Sequence, residues 1–328
     1  MPAFNVAFLG YGTVARALHV LLARNREALA REHNITFTVT GVASRRIGWW
    51  ANPNGLDPSA PAGTESRDVR DWLAAARADV VFEAIALEPQ TGQPALDYLR
   101  AALEHGAHVI SANKGPVVHG YRDLAHLAQR VRRRYRFESA VMDGAPVFSL
   151  VCECLPFVGL TAVRGIFTST ATIVLEAIEE GLSAADGIAR AQRLGIVEAD
   201  PSYDVDGWDS AVKLCVVANV LLDGDLRPRD VQREGIAAID EREIRSASAA
   251  GHPYRLVGDV RRDDAGMLRA SVGLMRCERG DALAVRGATL VTHFEASMFP
   301  GGLTITSHDP DVTTTAYGMF TDFLGVSR

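Results

Sequence analysis

The chain has 328 residues, 48% hydrophobic and 23% charged, with 34 Lys and Arg against 40 Asp and Glu for a net charge of −6. This is ordinary globular composition; its length favours two domains, and it offers no broad basic surface for nucleic acid. No apolar run is long enough to span a bilayer and no basic leader precedes one, so a cytoplasmic protein without a membrane partner is expected.

Phe4-Asn-Val-Ala-Phe-Leu9 is an apolar run of strand length. Gly10-Tyr-Gly12-Thr13-Val14-Ala15 follows, and a helical pattern runs from residue 14 to about 29. Strand, glycine turn and helix stand in the order that a dinucleotide-binding unit requires. Gly10 makes the tight turn, Gly12 lets a pyrophosphate approach the backbone, and Ala15 fills the small position where helix meets strand. The helix N-terminus, with Thr13 and Val14 in its first turn, would turn its free N–H groups to the phosphates.

A second strand over residues 35–43 ends at Ser44-Arg45-Arg46. An NAD site normally places an acid here to hold the ribose hydroxyls. Two arginines instead suit the 2′-phosphate of NADP, which is therefore preferred over NAD; the alternative is that both point to water. Trp49 and Trp50, beside Asn52-Pro-Asn-Gly55, are expected in a loop. There they would cover the adenine or an interface, or pack partly buried against the first helix.

Alternation continues with a strand over 79–85, a helix over 94–105 opened by Pro94, and a strand over 108–112. This pattern implies an α/β fold of the Rossmann-like, doubly wound parallel type, with ligands at the carboxyl ends of the strands. Asn113-Lys114-Gly115-Pro116 lies at one such end. Lys114 there could reach a nicotinamide, a substrate oxygen or a phosphate, or simply solvent. The five arginines within residues 130–136 read as a solvated helix end.

In the second half, a strand over 163–168 precedes helices near 171–180, 184–194 and 207–222. Apolar alternation returns over 254–260, 267–274, 289–294 and 303–306. Helices grouped with later strands imply a second, α+β domain, and residues 313–324 are helical in pattern. Cys152, Cys154, Cys215 and Cys277 fall in apolar surroundings without the spacing of a zinc site, and are expected as reduced core residues. His293 and His308 have no metal-spaced companions.

The densest chemistry lies between Glu198 and Lys213, where five carboxylates and one lysine share sixteen residues before the apolar helix Leu214-Cys-Val-Val-Ala-Asn-Val-Leu-Leu222. Asp209 and Lys213 stand four apart, on one helical face. An ammonium on a helix with a buried stripe is costly unless it is paired or used. The alternative is an ordinary surface pair.

Three segments together resemble the homoserine dehydrogenases. Ser111-Ala-Asn113-Lys114-Gly-Pro-Val117 is similar to the family's Asn-Lys turn after a central strand. Phe137-Glu138-Ser-Ala-Val141-Met-Asp143-Gly144-Ala145-Pro146 resembles its glycine-rich elbow. Leu194-Gly-Ile-Val-Glu198-Ala-Asp200-Pro201 through Lys213 is similar to its most specific signature. The resemblance implies reversible, NAD(P)-linked interconversion of aspartate 4-semialdehyde and homoserine, serving threonine and methionine synthesis. It also implies a short form without aspartokinase or regulatory domains, working as a homodimer.

By the same resemblance, Lys213 and Asp209 lie at the reacting oxygen, Lys114 is a catalytic residue near both substrate and nicotinamide, and Glu198, Asp204 and Thr170 hold the substrate. Gly10, Gly12, Thr13, Val14, Ser44, Arg45, Arg46, Asn113 and Lys114 would meet the cofactor. A sodium or potassium ion would sit at Glu138, Val141, Asp143 and Ala145. The expected domains are residues 1–136 for the dinucleotide, 137–308 for catalysis and dimerisation, and 309–328 as a helix returning to the nucleotide domain. Thr168-Ser169-Thr170 stands where the family carries Asn-Gly-Thr. A different amino aldehyde or amino alcohol is therefore an alternative substrate, and a non-catalytic nucleotide-binding homologue a further alternative.

Overall fold

The computed structural model describes residues 3–196, 201–238 and 240–326. The chain forms two compact units, Met1–Pro146 with Asp311–Arg328, and Val147–Pro310.

The first unit is built on β1 (Ala3–Leu9), α1 (Thr13–Arg24), α2 (Arg26–His33), β2 (Thr36–Ser44), β3 (Gly48–Ala51) and β4 (Thr64–Glu65). It continues through α3 (Val69–Ala76), β5 (Val80–Glu83), α4 (Ala95–His105), β6 (His108–Ser111), α5 (Lys114–Arg130) and β7 (Tyr135–Arg136). The sheet runs β4-β3-β2-β1-β5-β6-β7. Its five central and right-hand strands are parallel, while β3 and β4 add antiparallel at one edge.

Strand β1 is apolar and buried from Val6 to Leu9, where both of its faces are covered. Alternation along the strand sends Val6 and Phe8 to one side and Ala7 and Leu9 to the other. Ala7 and Leu9 join Trp72, Leu73, Leu99 and Leu124 from α3, α4 and α5. Val6 and Phe8 join Leu18 and Leu22 from α1, and Met319 and Phe323 from the C-terminal helix (Val312–Val326).

Three local expectations change. The single helix over 14–29 is divided at Asn25, whose backbone sits at φ −98° and ψ 9°. Its backbone N–H and its side-chain amide both donate to the Leu21 carbonyl, at 3.1 and 2.8 Å. That local competition ends α1. Trp49 and Trp50 belong to β3, not to a loop. The Trp49 ring packs edge-on against Trp72 and Tyr98, with centroids 5.6 and 5.3 Å apart. Residues 137–146 pack with the first unit: the Glu138 N–H donates to Asp322 Oδ2 at 2.9 Å, and Ser139 Oγ to the Thr315 carbonyl at 2.6 Å.

The second unit opens with α6 (Val147–Ser149) and a π turn, Leu150–Cys154. That turn leaves Cys152 and Cys154 exposed, against the expectation of core cysteines, whereas Cys215 and Cys277 are buried. Then follow β8 (Leu160–Ile166), α7 (Ser169–Glu179), α8 (Ala184–Arg193), α9 (Ser202–Val205) and α10 (Trp208–Leu221). The unit closes with β9 (Gln232–Arg233), α11 (Glu241–Ala249), β10 (Tyr254–Arg262), β11 (Leu268–Arg276), β12 (Leu290–Ala296) and β13 (Phe299–Ser307). The sheet runs β13-β12-β8-β10-β11-β9, antiparallel except where β9 joins β11.

Gly165 of β8 pairs with Gly258 of β10, and the Phe167 ring lies on both. A Cβ at either glycine would fall 2.9 Å from a Phe167 ring carbon, so a side chain there would push the ring off the sheet. On the opposite face Arg261 pairs with Asp259 at 2.7 Å and with Glu295 at 3.4 Å. No described helix is long and apolar enough to cross a membrane.

Candidate active site

In the first unit the strand order reverses at β1 and β5, and the crevice at their carboxyl ends is where such sheets bind ligands. Gly10 occupies it. Its N–H donates to the Ala43 carbonyl at 2.7 Å. Its φ is +88°, and a Cβ would lie 2.6 Å from the Ala84 carbonyl oxygen. Both conditions require glycine. Gly12 forms the N-cap of α1 without a side-chain cap, and a Cβ there would meet nothing within 4 Å.

The first turn of α1, with Thr13 and Val14, therefore presents uncapped N–H groups beside open space. That arrangement suits a pyrophosphate. Ser44 closes β2, where its hydroxyl accepts the Ile47 N–H at 3.3 Å, and Arg45 and Arg46 follow it, both exposed.

After the end of β6, Asn113 caps α5: its Oδ1 accepts the Gly115 N–H at 3.0 Å, which makes Lys114 the first helical residue. Behind this turn lies Glu83, at the end of β5 and fully buried. Glu83 Oε1 accepts from the Ile85 N–H at 2.9 Å and from Asn113 Nδ2 at 3.2 Å. Its Oε2 accepts from Ser111 Oγ at 2.5 Å. Burial pushes the Glu83 carboxyl above its ordinary range, and the three hydrogen bonds work against that shift. Glu83 and Ser111 were missed in the sequence. The available signal was an acid closing an otherwise apolar strand.

In the second unit the chemistry gathers around the end of β8. Lys213 Nζ lies 2.9 Å from Asp209 Oδ2, and each side chain is 11% exposed. The same ammonium donates to the Phe167 carbonyl at 2.6 Å. The spacing thus produces a buried pair, not a surface one. Asp209 sits in the first turn of α10, where the helix dipole favours an anion.

Thr170, in the first turn of α7, donates through Oγ1 to Asp204 Oδ2 of α9 at 2.7 Å. Two of the three expected substrate contacts are therefore bonded to each other. The third, Glu198, lies outside the described residues. The Phe167 carbonyl was also missed, because a backbone acceptor leaves no mark in a residue pattern.

At the elbow Glu138 is buried, and Asp143 adopts φ +48° with its Oδ1 accepting from Thr315 Oγ1 at 3.2 Å. The Ala145 N–H donates to the Met142 carbonyl at 3.0 Å, next to Val141. Among the described residues no three His, Cys, Asp or Glu side chains converge as a metal site.

Two family descriptions match the chain: "Homoserine dehydrogenase, NAD binding domain" over residues 10–138 and "Homoserine dehydrogenase" over residues 146–324. An "NAD(+)-dependent homoserine dehydrogenase" of Pseudomonas canavaninivorans is 31% identical, across 100% of this chain and 97% of its own length. A homoserine dehydrogenase of Pseudomonas aeruginosa is 32% identical over 85% of this chain and 62% of its own. The crystal structure of a homoserine dehydrogenase from Thiobacillus denitrificans superposes with a TM-score of 0.85 at 27% identity, covering 100% of this chain and 74% of that one. The chain therefore belongs to the homoserine dehydrogenase family, oxidoreductases that act on a CH–OH group and carry an NAD-binding Rossmann-like domain beside a catalytic domain.

Proposed function

We propose that the chain catalyses the reversible, NAD(P)-linked interconversion of aspartate 4-semialdehyde and homoserine, in the cytoplasm, on the route to threonine and methionine. The observation that carries this reading is the Lys213–Asp209 pair, an ammonium and a carboxylate nine-tenths withdrawn from water. A structural ion pair gains little from such burial. A charge held ready for a developing alkoxide gains a great deal.

The bound dinucleotide supplies the hydride chemistry. The remaining work falls to this chain. Lys213 stabilises negative charge as it develops on the substrate oxygen and exchanges a proton there, while Asp209 and the Phe167 carbonyl hold the ammonium in place. Asp204, steadied by Thr170, and Glu198 bind the substrate ammonium. Lys114 serves the substrate and the nicotinamide from the end of β6. Gly10, Gly12, Thr13 and Val14 cradle the pyrophosphate, with Asn113 alongside the nicotinamide end. A monovalent cation is assigned to Glu138, Val141, Asp143 and Ala145, and a second copy of the chain to the uncovered face of the six-stranded sheet.

Ser44, Arg45 and Arg46 support NADP as the dinucleotide, because two exposed guanidinium groups follow β2 where an acid would select NAD. The Pseudomonas canavaninivorans relative, named as NAD(+)-dependent, supports NAD instead. Turnover of homoserine with each dinucleotide, followed by nicotinamide absorbance, tests the whole reading. Turnover of some other amino alcohol alone would favour the substrate shift suggested by Thr168-Ser169-Thr170. Dinucleotide binding without any turnover would overturn catalysis.

A further inference from the structure

A carboxylate that is fully buried and bonded to neutral donors is an expensive way to tie two strand ends together. Glu83 is such a group, and its bonds form a closed circuit. Its Oε1 takes the Asn113 side-chain N–H, which leaves Asn113 Oδ1 to face the Gly115 N–H. An asparagine amide has one accepting end and one donating end, so the carboxylate decides which way Asn113 points. Ser111 Oγ donates to Glu83 and accepts the Asn113 N–H at 3.0 Å, which pins the same residue by its backbone. With the amide reversed, its NH2 would face the Gly115 N–H and the cap of α5 would be lost. Lys114, the first residue of that helix, would lose its fixed starting point.

We propose that Glu83 is a positioning residue, whose carboxylate orients Asn113 through Ser111 and the Asn113 amide and so fixes the turn that presents Lys114. The consequence for rate rests on the reading of Lys114 as an active-site lysine. The buried, raised carboxyl agrees with a group kept for geometry despite its cost.

The test is steady-state kinetics and dinucleotide affinity on the full chain carrying Glu83→Ala, Glu83→Gln, Ser111→Ala, Lys114→Ala and the Glu83→Ala/Lys114→Ala double substitution. Displacing a reacting group by about 1 Å costs up to about 100-fold in rate, so Glu83→Ala is expected to lower kcat by about 10- to 100-fold. Dinucleotide affinity should fall by clearly less than kcat, because the pyrophosphate cradle of Gly10, Gly12, Thr13 and Val14 is untouched, a split that general loss of structure would not produce. Glu83→Gln should recover most of the rate, because its amide oxygen accepts from Ile85 and Asn113 and its NH2 reaches Ser111.

On the Lys114→Ala background Glu83→Ala should add little, as expected for residues that act in series. Should Glu83→Ala fail to fold, Ser111→Ala carries the same expectation at roughly three- to tenfold, with the same non-additivity. Wild-type kcat in Glu83→Ala or Ser111→Ala, or a fully multiplicative loss beside Lys114→Ala, overturns the role of Glu83 and leaves that of Lys114 standing. Wild-type kcat in Lys114→Ala overturns the reading of the lysine itself, and with it any effect transmitted from Glu83.

Discussion

The ammonium of Lys213 and the carboxylate of Asp209 stand 2.9 Å apart, one turn apart on α10, each with 11% of its side chain exposed. Removing the lysine leaves Asp209 buried without that counter-charge, and breaking a buried pair in this way costs about 3–5 kcal/mol of stability. On the proposed mechanism it also removes the group that meets the developing alkoxide, where proton transfer contributes about 10²–10⁴-fold. Lys213→Ala is therefore expected to lose most of kcat and to unfold at lower urea, while a titration with dinucleotide shows near-normal binding, since Gly10 and Gly12 belong to the other unit. An undiminished rate would remove Lys213 from the mechanism.

Gly10 and Gly12 are two residues apart and should respond oppositely to alanine. At Gly10 the left-handed backbone costs an L-residue about 1–2 kcal/mol. The new Cβ would also strike the Ala84 carbonyl, so the thermal midpoint should fall. At Gly12 the backbone is φ −86° and nothing lies within 4 Å of a Cβ. Gly12→Ala should melt with the parent and lose dinucleotide affinity, because on the proposed reading the methyl would enter the space assigned to the pyrophosphate. Normal affinity in that variant would move the phosphates elsewhere.

Arg45 and Arg46 set the dinucleotide preference if they meet a 2′-phosphate. Hydrogen bonds to a charged group are worth about 1.5–3 kcal/mol. Replacing both by alanine should thus weaken NADP by roughly 10- to 100-fold and leave NAD nearly unchanged. Equal losses for the two dinucleotides would show that the arginines make no phosphate contact.

What could be read from the residues was whatever a short stretch encodes by itself. The run into Gly10 and α1 carried its own signature, as did the four-residue spacing of Asp209 and Lys213, which the fold turned into a buried pair. What could not be read depends on partners distant in sequence. Glu83 stands out locally as an acid closing an apolar strand, but its partners Ser111 and Asn113 come from β6 and the turn after it, so its role does not show in its own stretch. The Phe167 carbonyl is a backbone group. Trp49 and Trp50 look like an exposed pair beside a turn until Trp72 and Tyr98, from two later helices, supply a wall for Trp49. Residues 137–146 join the first unit because Asp322 and Thr315, almost two hundred residues on, bind them there.

Phe323 tests how firmly the C-terminal helix belongs to the first unit. Its side chain is fully buried, with ring centroids 5.7, 6.2 and 5.6 Å from those of Phe4, Phe37 and Phe82. Truncating such a phenylalanine to alanine costs about 3–5 kcal/mol. Phe323→Ala should lower the urea midpoint by that measure. A loss below about 1 kcal/mol would mean that this side chain leaves little cavity behind, or that the helix comes away before the unit unfolds.

His108 gives the fold an acid limb. The imidazole is partly buried, and its Nδ1 accepts the Arg134 N–H at 3.0 Å, a bond that only the neutral ring can make. Burial first, then the charges of Arg133 and Arg134, lower its pKa from the ordinary 6.5 to about 4. The unfolded chain therefore takes up this proton near pH 6.5, and the folded chain only near pH 4. Within that window the unfolded state binds more protons, so stability rises with pH, and acidification through it is destabilising. Below the window both states are protonated and this contribution stops changing. His108→Asn keeps an acceptor near the Nδ1 position and has no proton to take up. Its urea-derived stability should start lower, because packing against Phe4 is lost, but should fall less steeply on acidification across the same window. An identical slope in the two proteins would assign the acid sensitivity to other groups.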